Sequence, residues 1–81
     1  MFVYPIPWSD EITPYDEAHF VTYVRLLDAD AAGVPEYQMC QDILNLTGDT
    51  THTRHVLADH LRRAKWMRTQ GFRLLLRPRL T

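Results

Sequence analysis

The sequence predicts an all-α fold: a small three-helix, helix-turn-helix-like domain with an extended turn, a short N-terminal arm and a C-terminal apolar tail. Apolar residues recur at helical spacing in three segments, and each segment is bounded by residues that typically begin or end helices. The chain has 81 residues, of which 46% are hydrophobic. Such a chain folds as one domain, and we expect its core to lie within about residues 14–77.

The first predicted helix covers residues 13–33. Thr13 can cap it, Pro14 suits the first helical position, and Asp16 completes a Ser/Thr-x-x-acid signal. Gly33 provides the stop. The stripe expected to be buried consists of apolar residues at i, i+3 and i+4 spacing: Phe20, Tyr23, Val24, Leu27 and Ala31.

The second predicted helix is shorter and covers residues 35–48, with Pro35 at its start and Gly48 at its end. Its expected buried residues are Tyr37, Cys40, Ile43 and Leu44. A polar turn at residues 47–53 follows. This turn is longer than the three or four residues usual in a helix-turn-helix.

The third predicted helix covers residues 51–71, and Gly71 is its stop. Its expected core residues are Val56, Leu57, Leu61, Ala64 and Met67. Residues 72–80 form an apolar tail with interspersed arginines, for which a short helix and an extended segment both stay open. Residues 1–12 contain two prolines, which disfavour a helix there. They are expected either as an extended segment packed on the domain or as an arm.

Charge is divided between the two halves of the chain. Residues 1–50 hold nine acidic residues and one basic residue, whereas residues 51–81 hold eight basic residues and one acidic residue, Asp59. Such an asymmetry can mark an interaction surface. It can equally mean that the acidic half solvates its own helices and partly neutralises the basic half. Charge alone leaves both interpretations open.

Zinc binding is one interpretation of three of the four histidines together with the single cysteine: His52, His55, His60 and Cys40. Zinc sites usually need two pairs of ligands at short spacings, and a first pair is missing. We therefore expect the histidines to be polar residues near a helix start and Cys40 to be a small core residue.

No glycine-rich phosphate loop and no nucleophile beside His55 and Asp59 is present. The sequence thus predicts no enzyme activity, no cofactor and no small-molecule ligand.

The sequence predicts no membrane association. No apolar run approaches the roughly 18 residues that a bilayer span needs. The N-terminal segment lacks the basic region of a signal peptide. We therefore expect a soluble, cytoplasmic protein.

DNA binding is the main chemical alternative, because arginines of a third helix can hold phosphates. The candidate contacts are Arg54, Arg62, Arg63 and Arg68. Asp59 lies among them, the second helix is acidic, and the sequence pI of about 6.4 is low for a DNA-binding domain. The basic residues at positions 62, 63, 65 and 68 also spread around the helix at 100° per residue. Specific DNA binding is therefore not expected.

Two sequence blocks lie in order around the predicted turn: RLLDADAAG at residues 25–33 and RRAKWMRTQGFRLLL at residues 62–76. They resemble the signature stretches of the bacterial domain-of-unknown-function family 2285, and the resemblance covers about residues 16–77. It implies a helix-turn-helix variant with an extended turn, of the kind found in regulators of integrative and conjugative elements. The chain departs from the family pattern at Asp30, where Leu is usual, and at Gln70, where Gly is usual.

This chain is similar to the stand-alone, acidic members of that family. The resemblance implies an antiactivator in quorum sensing and horizontal gene transfer, which binds an FseA-like transcriptional activator through the activator's N-terminal domain. By mimicry, a lone copy of the domain would occupy the surface on which the activator's own copy docks. The expected contacts are large side chains without an obvious core role: Trp66, Tyr4, Trp8 and Phe72. The alternatives are a DNA-binding helix-turn-helix regulator and a small interaction protein of toxin–antitoxin or phage type.

Overall fold

The structure, a computed structural model, describes residues 4–6, 8–47 and 50–71. Within these ranges the regular elements are all helical: α1 (Pro14–Ala18), α2 (Phe20–Ala31), α3 (Glu36–Asp42) and α4 (Thr51–Trp66). Helix α4 continues into a π-helical turn, Met67–Gly71. The predicted all-α class is confirmed.

The helix predicted at residues 13–33 is divided in two at His19. Thr13 caps α1 as predicted: its hydroxyl accepts a hydrogen bond from the Asp16 N–H at 3.2 Å, and the Asp16 carboxylate accepts one from the Thr13 N–H at 2.9 Å. The His19 N–H is shared between the carbonyls of Tyr15 and Asp16, and Nδ1 of the His19 ring donates to the Tyr15 carbonyl at 2.9 Å. The prediction of one continuous helix is wrong here, because the His19 backbone, with φ −116° and ψ 19°, departs from helical geometry.

Two residues with positive φ direct the chain after α2 and after α3. Gly33 has φ 76°, in agreement with its predicted role as a helix stop. Helix α3 ends earlier than predicted, and Asn45, with φ 56°, turns the chain so that the Leu46 N–H donates to the Cys40 carbonyl at 2.8 Å. Asparagine is one of the few residues besides glycine that adopt this conformation readily. The stop predicted at Gly48 lies outside the described residues.

Helix α4 begins where the sequence predicts, and Thr50 caps it through reciprocal hydrogen bonds with the third residue of the helix. Gly71, predicted as a helix stop, lies at the end of the π-helical turn. A Cβ at Gly71 would lie 2.7 Å from the Met67 sulfur and 2.8 Å from the Trp66 ring. The absence of a side chain at Gly71 therefore permits close packing inside this turn.

The core consists of two clusters that meet at α4. The larger cluster joins α2, α3 and α4, and its buried members are Leu26, Met39, Cys40, Leu44, Val56 and Leu57. The smaller cluster joins α2 to the end of α4, and its buried members are Tyr23, Ala64 and Met67. Ile6 of the N-terminal segment is buried as well. This part of the chain therefore packs on the domain, which was one of the two interpretations that the sequence left open.

The face that α2 buries differs from the predicted stripe. Tyr23 is buried as predicted, but Phe20 and Val24 are 41% and 44% exposed, and Ala31 is exposed as well. The completely buried residue of this helix is Leu26, which the prediction omitted. The helix is therefore rotated, so that part of its apolar stripe faces outward.

Helices α3 and α4 agree better with the predicted core. The predicted residues that are buried are Cys40, Leu44, Val56, Leu57, Ala64 and Met67. Ile43 and Leu61 are partly buried and pack against the larger cluster. The prediction is wrong for Tyr37, which is exposed, whereas Met39 on the same helix is buried.

Leu26→Ala should lower the free energy of unfolding by about 2–5 kcal/mol, the range for truncation of a fully buried side chain. Leu61→Ala, the same substitution at a partly buried position, should cost less because it removes fewer contacts. Urea unfolding followed by circular dichroism measures both changes. An equal or larger loss at Leu61 would contradict the central position of Leu26.

Candidate functional site

A buried ion pair between Arg63 and Asp16 joins α4 to α1. Both residues are 0% exposed. Arg63 Nη2 donates to Asp16 Oδ2 at 2.6 Å, and Arg63 Nε donates to Asp16 Oδ1 at 3.0 Å, which makes the pair bidentate. Arg63 also donates to two backbone carbonyls of the N-terminal segment, Ser9 at 2.6 Å and Glu11 at 2.8 Å. One guanidinium therefore holds the N-terminal segment, α1 and α4 together.

Two tryptophans enclose the Arg63 guanidinium. Its central carbon lies 3.9 Å from the centre of the Trp66 ring and 4.8 Å from the centre of the Trp8 ring, within the range of cation–π attraction. The two indoles meet edge to face at 5.9 Å. Trp66 is partly buried, and Trp8 is 47% exposed. Both were expected to contact a partner, and both have packing roles inside the domain.

Asp16 receives two more hydrogen bonds in addition to those from Arg63. The Thr13 N–H and the Tyr23 hydroxyl each donate to its carboxylate at 2.9 Å. Burial by itself raises the pKa of Asp16, but the hydrogen bonds from its partners outweigh that effect and hold the pKa below its usual range. Burial and the adjacent carboxylate raise the pKa of Tyr23. Asp16 is therefore ionised and Tyr23 is protonated at neutral pH.

His60 provides a second polar contact between α4 and α1, and it is also 0% exposed. Its Nδ1 donates to the Val56 carbonyl at 2.8 Å, because a carbonyl can only accept. In the neutral ring, Nε2 then accepts a hydrogen bond from the Tyr15 hydroxyl at 2.7 Å. Burial lowers the pKa of His60 and outweighs the opposing effects of the Val56 carbonyl and Asp59. His60 is therefore neutral at pH 7.

The N-terminal segment follows one side of α4. The Ile6 N–H donates to Asp59 Oδ2 at 2.6 Å. The Tyr4 ring stacks on His55 at 6.0 Å and meets His52 edge to face at 5.9 Å. Asp59 is buried where the N-terminal segment covers it, so it does not face outward to oppose DNA. Tyr4 is half-exposed, and it too packs within the domain.

Two of the four arginines proposed for DNA contact are engaged inside the domain. Arg63 is completely buried, so its assignment as a phosphate contact is wrong in this structure. Its guanidinium donates to the Asp16 carboxylate and to the backbone carbonyls of Ser9 and Glu11. Arg62 is exposed, but it lies 3.6 Å from Asp59 and 5.0 Å from the centre of the Trp8 ring.

The other basic residues of α4 and its π-helical turn are dispersed. Lys65 forms an exposed ion pair with Asp30 at 3.5 Å, which connects the basic and acidic halves of the chain. Arg54 and Arg68 are exposed and lie fourteen residues apart, about 21 Å along a helix. Within the described residues, the bases therefore do not form a single continuous face.

An apolar groove of 390 Å³ lies between α2 and the end of α4. It is lined by Phe20, Tyr23, Val24, Leu27, Met67 and Arg68. Val21, the neighbour of this wall on α2, is 71% exposed. Exposed apolar surface of this kind typically marks an interaction site. The sequence predicts Phe20 and Val24 as core residues, because helical spacing identifies an apolar stripe but does not show what packs against it.

The histidines and Cys40 do not come together in the described part of the chain. Cys40 is buried in the larger core cluster, where its thiol lies 3.6 Å from the Thr53 carbonyl. His60 bonds to α1, whereas His52 and His55 contact Tyr4. No group of three or more His, Cys, Asp or Glu side chains suited to a metal ion occurs among the described residues.

Two further expectations concern the tail and membrane crossing. Phe72, the fourth residue expected to contact a partner, lies outside the described residues together with the rest of the tail. None of the helices in the described ranges has the length and apolar character that crossing a bilayer requires.

Comparisons with known proteins add no relative from which a role could be transferred. No protein-family model, no curated protein and no solved structure matches the chain. The resemblance to family 2285 therefore remains a prediction from two sequence blocks.

Arg63→Ala should lower the free energy of unfolding by about 3–5 kcal/mol, because it leaves the Asp16 carboxylate buried without its cation. Arg62→Ala is the matched control: the same substitution at the neighbouring, exposed position should cost at most about 1 kcal/mol. Urea unfolding followed by tryptophan fluorescence reports directly on the two indoles around Arg63. Similar losses in the two variants would show that Arg63 is not the organising contact.

Stability should fall in acid in two stages. Folding lowers the pKa of His60. The contribution of His60 to the free energy of unfolding is therefore complete above its unfolded pKa of about 6.5, and it is lost as the pH falls through the pKa of the folded protein. The pKa of Asp16 is also lowered, so its contribution is present above about pH 3.8 and is lost on further acidification. Melting temperature measured against pH should show both stages, and His60→Gln should abolish only the first. A first stage that persists in His60→Gln would contradict this assignment.

Proposed function

We propose that this protein is a protein-binding regulator and that its contact surface is the α2 groove. The observation that carries the proposal is the exposure of Phe20 and Val24 beside a groove of 390 Å³. Burial of these side chains by a partner would remove apolar surface from water, which is the main favourable contribution in most protein association. A helix packed along α2 is the simplest partner for such a groove.

The specific form that we propose is an antiactivator that binds a transcriptional activator through the activator's N-terminal domain. By blocking the activator it would repress transfer of an integrative and conjugative element. The two sequence blocks that resemble family 2285 support this form. The exposed acidic residues of α1 and α2 support it as well, since Glu17 and Asp28 would attract a basic, DNA-binding partner.

The alternative of a DNA-binding regulator depends on the exposed cations of α4 and its π-helical turn. Arg54 and Arg68 are exposed and could contact phosphates. Arg63 is not accessible, and Arg62 and Lys65 lie in ion pairs with acidic side chains of the same chain. We therefore expect any contact with DNA to be weak, non-specific and strongly reduced by salt.

Val24→Glu should weaken binding of the activator by about tenfold or more, because it places a charge in the wall of an apolar groove. Val21→Glu is the matched control, with the same substitution on the same helix at a position that does not line the groove. To measure this, the immobilised protein is used to capture the partner from a host lysate, and mass spectrometry identifies the captured protein. Calorimetry then gives the affinity of that partner for the parent and for both variants.

Two outcomes would contradict this proposal. Retention of no transcriptional regulator would oppose the antiactivator role, and equal effects of Val21→Glu and Val24→Glu would oppose the groove as the contact. A footprint on the controlled promoter that persists at about 150 mM salt in the presence of competitor DNA would favour the DNA-binding alternative.

A further inference from the structure

We draw no further inference here: the strongest candidate, the apolar groove between α2 and the end of α4 that Phe20, Val24 and Arg68 line, is the surface already proposed for a protein partner, and nothing in the structure shows what covers it.

Discussion

The bidentate ion pair between Arg63 and Asp16 is the interaction on which the arrangement of this domain depends. A buried ion pair is not stabilising by its charge alone, because removing two ions from water costs several kcal/mol each. Here the hydrogen bonds offset that cost: Arg63 also binds two carbonyls of the N-terminal segment, and Asp16 also accepts from Tyr23. Every buried side-chain nitrogen and oxygen of the described residues has a hydrogen-bond partner. The pair therefore specifies how the N-terminal segment, α1 and α4 fit together.

This arrangement changes the interpretation of the divided charge. Asp16 and Asp30 from the acidic half pair with Arg63 and Lys65 from the basic half, so part of the asymmetry is neutralised within the domain. The N-terminal segment covers the side of α4 that carries Asp59. These contacts reduce the basic surface of α4 that a polyanion such as DNA could contact. The apolar groove on α2 takes part in none of these internal polar contacts, and it is the surface that we propose for a protein partner.

Local signals in the sequence predict local structure well. Thr13 caps α1 through its hydroxyl, Pro14 suits the first helical position because it has no N–H to satisfy, and Gly33 adopts the positive φ that ends α2. The periodicity of α4 predicts most of its core. The rotation of α2 could not be predicted, because two overlapping apolar faces share one helix and only the positions of α3 and α4 select Leu26 over Val24. The burial of Arg63 could not be predicted either. An arginine in a basic segment is expected to be exposed, and its carboxylate partner Asp16 lies 47 residues away in the sequence.

Hydrogen exchange of the arginine side chains, observed by nuclear magnetic resonance, tests the central claim most directly. The Nε–H of Arg63 donates to a buried carboxylate, so it should exchange with water far more slowly than the Nε–H of the exposed Arg62. Its signal should also be displaced by the ring currents of Trp8 and Trp66. Exchange of the Arg63 proton at the same rate as that of Arg62, with no such displacement, would show that the guanidinium is solvated and would contradict the account.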